Sequence, residues 1–168
     1  ARGHALALGV LPPALRVALA GRRDGREAEE AAGEVMAAGG LTDLARWSYL
    51  VDVLLAAGAL RCTLLAEHGG PLATFSVSAP GPSLSLEPLR ADEAVTLSRF
   101  ASLRPLDGVL VLGSPLGRCR ITLHDVRLAA VVATLAQPSA AAPIATATGL
   151  ANAVVAAFLG LLRGAALL

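Results

Sequence analysis

The chain has 168 residues, 55% of them hydrophobic and 16% charged, which excludes a disordered polypeptide and leaves enough apolar surface for a packed core. All 14 basic residues are arginine, set against 13 acids for a formal charge of +1. The basic excess of a nucleic-acid binder is therefore absent, as is any chemistry that needs a lysine: Schiff base, lysine general base or P-loop.

Residues 5–8 read as the end of a strand. Pro12–Pro13 then opens a helix to about Ala20, proline being tolerated in a first helical turn. Residues 21–25 form a polar break. A second helix spans 26–38 with Glu27, Glu29, Glu30 and Glu34 as a solvated acidic face, and Gly39–Gly40 stops it. Thr42 or Asp43 caps a third helix to about Ala57, whose Leu44, Trp47, Leu50, Val51, Leu54 and Leu55 fall at core spacing. Gly58 ends it. A hairpin follows, with strands at 60–67 and 72–78 around a Gly69–Gly70 turn. Three helices followed by a hairpin is the order of a winged helix.

Residues 79–88 hold Pro80, Pro82, Pro88 and Gly81, and the module boundary belongs there. The expected organisation is a first winged-helix module over 1–79, a linker over 80–94 and a second module over 95–168. In the second module a strand is expected at 96–103, a tight turn at Asp107–Gly108, a buried strand at 109–112, a turn at 114–117 and an alternating strand at 118–123. Asp125 then caps a helix to Ala136; a loop with a short helix after it leads to a last helix at 149–163, and residues 165–168 read as a strand stub. The halves echo one another, an apolar helix stopped by glycine before an apolar strand start, which predicts a tandem duplication. The fold class is α+β: two tandem winged-helix modules, each a small antiparallel sheet with about three helices. The chain begins without Met and stops inside an apolar run, and so reads as a piece of a longer protein.

The chemical candidates are thin. Gly113-Ser114-Pro115-Leu116-Gly117 lacks the spacing of a nucleophile elbow and reads as a β-turn. His124–Asp125 has the residue types of an acid–base dyad, but adjacent side chains usually point apart and Asp125 is the cap. His4 and His68 have no ligand-like neighbours, so no metal site is expected. Cys62 and Cys119 are 57 positions apart and read as buried free thiols, which fits a reducing cytosol. The apolar runs at 5–20 and 150–162 are broken or too short for a signal peptide or a membrane span. A DNA-reading helix is disfavoured, since 42–57 offers only Arg46, and 149–163 only Asn152 and Arg163. One charge pattern stands out. Residues 95–127 carry Arg99, Arg104, Arg118, Arg120 and Arg127 against Asp107 and Asp125, a net +3 suited to a peptide that adds as a strand and pairs its acids with arginine.

The string Leu97-Ser98-Arg99-Phe100-Ala101-Ser102-Leu103-Arg104, with Gly108-Val109-Leu110-Val111-Leu112, Ser114-Pro115-Leu116 and Ile121-Thr122-Leu123-His124-Asp125, resembles the N-terminal region of SagB-type dehydrogenases. Gly40-Leu41, Leu44-Ala45-Arg46, Tyr49-Leu50 and Pro71-Leu72-Ala73-Thr74 extend the resemblance over about 12–168. These are azoline oxidases of ribosomal peptide natural-product (RiPP) pathways, with PqqD-like recognition elements ahead of a flavin domain. The resemblance implies a non-catalytic role for this chain: docking of a precursor (leader) peptide, with FMN-dependent oxidation of azolines to thiazoles or oxazoles by a Lys/Tyr pair in a flavin domain. It implies as partners that flavin domain, a cyclodehydratase and a second copy of the parent enzyme, with neither nucleic acid nor membrane. It also implies a peptide site between the third strand and third helix of the unit. Here that means Arg118, Arg120 and Thr122 on the strand, and Val154, Phe158 and Leu161 on the helix. The alternatives are a scaffold that docks the flavin domain and cyclodehydratase without peptide, and a winged-helix DNA-binding regulator.

Overall fold

A computed structural model describes residues 11–21, 27–79, 81, 89–90 and 92–168. The strand end expected at 5–8, all but Gly21 of the break expected at 21–25 and most of the expected linker lie outside them. The chain divides into two compact units, 1–52 and 53–168.

The first unit is helical. Helix α1 spans Pro13–Gly21 and buries Leu15 and Ala18. Helix α2 spans Ala28–Ala56 as two helical stretches meeting at Gly40, whose φ of 71° and ψ of −167° interrupt the helical backbone. A positive φ is open to glycine at little cost, so the break falls where Gly39–Gly40 predicts it. Glu29, Glu30 and Glu34 are exposed, Trp47 and Leu50 are buried, and Tyr49 points to solvent, as the periodicity requires.

The last residues of α2 belong to the second unit. Gly58 ends the helix in the left-handed region, at φ 74°, and the Val77 carbonyl oxygen lies 2.8 Å from where a Cβ would stand. Glycine is thus required twice at this point, for the turn and for the close approach. Beyond it come β1 (Arg61–Leu65) and β2 (Pro71–Val77), then β3 (Ser102–Leu106), β4 (Val109–Gly113) and β5 (Cys119–Leu123). Three helices close the unit: α3 (Val126–Thr134), α4 (Ala141–Thr148) and α5 (Asn152–Gly164).

The five strands form one antiparallel sheet in the order β1-β2-β5-β4-β3. The α+β class expected from the sequence holds, and the elements are consistent with small winged-helix-like modules. The expected division at 80–94, however, does not divide the sheet. Strand β2, assigned to the first module, pairs with β5 of the second from Ala73–Leu123 to Val77–Cys119. The reason lies in β2's own sequence. Leu72, Ala73 and Phe75 are fully buried, and burying such side chains is worth roughly 1.5–3 kcal/mol each for the larger ones. A free hairpin would leave that surface in water.

Two smaller expectations also shift. The strand expected at 96–103 begins only at Ser102; before it, Val95 makes an isolated bridge to Ser139. The stub at 165–168 is not a strand: Leu167 is buried, donates its N–H to Leu162 and accepts from the Ser98 N–H at 2.8 Å. The Asp107–Gly108 turn has φ of 50° and 81°, the positive pair that suits a tight hairpin to the strand twist. Asp125 caps α3, accepting from the Arg127 N–H at 2.8 Å.

Candidate peptide-docking face

Alternation along each strand gives the sheet two faces. On β5, Cys119, Ile121 and Leu123 are buried, while Arg120 is exposed and Thr122 half-buried. Strand register carries this across the sheet. Phe75, Ile121 and Leu112 align on the inner side and join Leu128, Val131, Phe158 and Leu162 of the helices in one hydrophobic cluster. On the outer side Arg61, Ser76, Arg120, Gly113 and Ser102 form one row, and Thr63, Thr74, Thr122, Val111 and Arg104 the next. Thr74 bonds both Thr63, at 3.3 Å between hydroxyls, and His124 Nε2, at 2.9 Å.

A groove of about 600 Å³ lies at one end of this outer face. Gly113 belongs to its floor, and a Cβ there would come no nearer than 3.6 Å to its surroundings. One wall is the 98–101 turn, where the Ala101 N–H bonds the Ser98 carbonyl at 2.9 Å and Arg99 stacks 4.7 Å above the Phe100 ring. The other is the 114–117 turn, closed by the Gly117 N–H on the Ser114 carbonyl at 3.0 Å. Both walls rest on the segment after α5: the Leu167 carbonyl takes the Ser98 N–H, and the Ala165 carbonyl lies against Gly117. Arg99, Arg104 and Arg120 line the groove together with Phe100, and among the described residues no carboxylate lines it. The ion pairs of the described residues engage Arg46, Arg90, Arg127 and Arg163, and none of them engages a groove arginine.

The six residues expected to hold a peptide are not brought together. β5 has β2 on one side and β4 on the other, so no strand can add along it. Arg118 is spent on the fold: its guanidinium donates to the Ala56 carbonyl at 3.2 Å and to that of Ala79 at 3.5 Å, tying the end of α2 to the exit of β2. Phe158 and Leu161 are core residues, 0% and 5% exposed, and Val154 packs half-buried against the same cluster. Only Arg120 and Thr122 keep the outward position expected of them, and Arg120 alone lines the groove. Arg99 and Arg104 belong to the basic pattern of residues 95–127 but are not among the six expected site residues, and neither is Phe100. Arg–Phe adjacency ahead of a strand was their signal.

Of the sheet's two open edges, β3 is poorly suited to strand addition. Its two-residue hairpin makes Leu106–Val109 a hydrogen-bonded pair, so alternate residues, Leu103 and Pro105, turn their backbones outward. Pro105 has no N–H to offer. β1 presents Arg61 and Thr63 at the other edge by the same alternation, since the Ser78 N–H on the Arg118 carbonyl fixes which β2 residues face β5.

His124 faces Thr74 while Asp125 bonds Arg127, so they form no dyad. The Arg127 guanidinium, 2.7 Å away, holds the Asp125 carboxyl below its ordinary range. Ser114 sits in a strand-to-strand turn and accepts from the Leu116 N–H at 3.2 Å. Burial pushes the Cys119 thiol up, against a smaller opposite effect of Arg118. Among the described residues no three His, Cys, Asp or Glu side chains gather as metal ligands, and no single helix is long and apolar enough to cross a membrane.

Residues 95–167, from just before β3 to just beyond α5, match the cyanobactin oxidase ThcOx family. That segment is similar to an oxidase-related domain of RiPP pathways. No curated protein matches the chain.

Proposed function

We propose that this chain is a non-catalytic region of a RiPP-pathway azoline oxidase of SagB type, built from PqqD-like modules, and that it docks the precursor peptide. The observation that carries the reading is the similarity of residues 95–167 to the cyanobactin oxidases, on a segment whose outer face carries the groove arginines. The oxidation of thiazolines or oxazolines, with FMN as electron acceptor, is assigned to a flavin domain of the parent enzyme. Fluorescence anisotropy with synthetic precursor peptides encoded beside the gene tests this reading. Saturable binding is expected, and its absence for every one of them removes the docking role.

The pairing of β2 along β5 favours one second reading. A unit whose β5 edge is taken by its own hairpin would serve as a scaffold between flavin domain and cyclodehydratase. Co-purification with those two proteins in the absence of peptide would support it.

A further inference from the structure

We infer that the groove lined by Arg99, Phe100, Arg104 and Arg120 is a site for an acidic peptide segment, read through its carboxylates rather than by strand addition. The inference rests on the peptide-docking reading for its biological partner, but its physical basis is separate.

Three observations converge. First, the groove gathers three arginines with no carboxylate among its described lining residues. Arginines gathered around one groove without counter-charges set up a positive potential that draws an anion to it. Second, the arginines are held apart in a defined pattern. Arg120 aligns with Gly113 and Ser102, and Arg104 with Val111 and Thr122. Two strand spacings and two residues therefore separate them, roughly 12 Å between Cα atoms at ordinary sheet dimensions. In an extended peptide, residues four apart are about 13 Å apart, so carboxylates at i and i+4 match the pair. Third, the floor is open and the wall partly apolar. Gly113 leaves space between Arg120 and Ser102, and Phe100 is 44% exposed beneath the Arg99 guanidinium. Guanidinium groups bind carboxylates by two parallel hydrogen bonds, and Phe100 gives an apolar contact beside them.

Strand addition is the competing mode, and the sheet restricts it. β5 is closed on both sides and β3 carries Pro105, which leaves β1, whose Thr63 lies four strands away from β3.

The test uses the full chain and two labelled peptides, hexaglutamate and hexaglutamine, followed by anisotropy at low salt. Hexaglutamate is expected to bind and hexaglutamine not. Arg99→Gln, Arg104→Gln and Arg120→Gln should each weaken hexaglutamate binding roughly threefold, as exposed ion pairs do, and the triple variant should lose it. Thr63→Pro, which blocks the β1 edge, should leave it unchanged. Circular dichroism on each variant guards against misfolding; all three arginines are exposed. Hexaglutamate binding that survives the triple variant, or that Thr63→Pro abolishes, overturns the inference. Precursor binding indifferent to the three arginines would overturn it while leaving the docking role intact. Arginine-dependent hexaglutamate binding without any precursor binding would do the reverse.

Discussion

Asp125 is held by one neighbour through both backbone and side chain. Its carboxylate caps α3 through the Arg127 N–H and pairs with the Arg127 guanidinium. Asp125→Ala should lower stability by about 1 kcal/mol, the usual worth of a cap, read as a shift in urea midpoint at neutral pH. Because the folded carboxyl titrates below its ordinary value, the contribution is full above the ordinary aspartate range. It disappears as pH falls through the folded value, where both variants should converge. Phe158 is a second case at this scale. Placed at random on an apolar helix it could face a ligand or the core; at 0% exposure it faces the core. Phe158→Ala should cost about 3–5 kcal/mol in unfolding free energy, and any loss of peptide binding should track the unfolded fraction. The thiols differ in the same sense. Cys119 is buried with a raised pKa and Cys62 only half-buried, so iodoacetamide followed by mass spectrometry should label Cys62 well before Cys119.

At the scale of elements, the sequence was legible wherever a local signal decides the outcome. Glycines with positive φ mark the break at Gly40, the stop at Gly58 and the turns at Gly69 and Gly108. Strict alternation gives β5, and a lone aspartate ahead of an apolar run gives α3. What local signals cannot carry is which strand lies beside which. The Pro-rich stretch after β2 looks like a border, yet the residues that decide the pairing are Leu72, Ala73 and Phe75, whose burial is satisfied only by a distant partner. Side-chain placement is hidden for the same reason: Arg118 and Phe158 are chemically suited to a ligand, and tertiary contacts engage both in the fold. The element-scale prediction follows directly. A fragment of residues 95–168 should be poorly stable, with β5 unpaired on one side, and a synthetic peptide of residues 71–78 should raise its melting temperature. The same peptide with Phe75→Glu should have no effect, since its charge would enter the place of a fully buried ring.

For the molecule as a whole, the compact unit 53–168 contains the complete sheet and its three helices, and should fold as an isolated fragment with one cooperative transition by circular dichroism. The β2–β5 ladder also has a consequence for a chain that has been cut. Arg90 lies in the connection between the hairpin and β3, with its side chain 83% exposed, so trypsin has access there. A single nick after Arg90 would separate the covalent chain into two pieces that still share five backbone pairings and a buried phenylalanine. Such pieces should travel together on a sizing column and part only in denaturant, so that one intact-looking species conceals a broken chain.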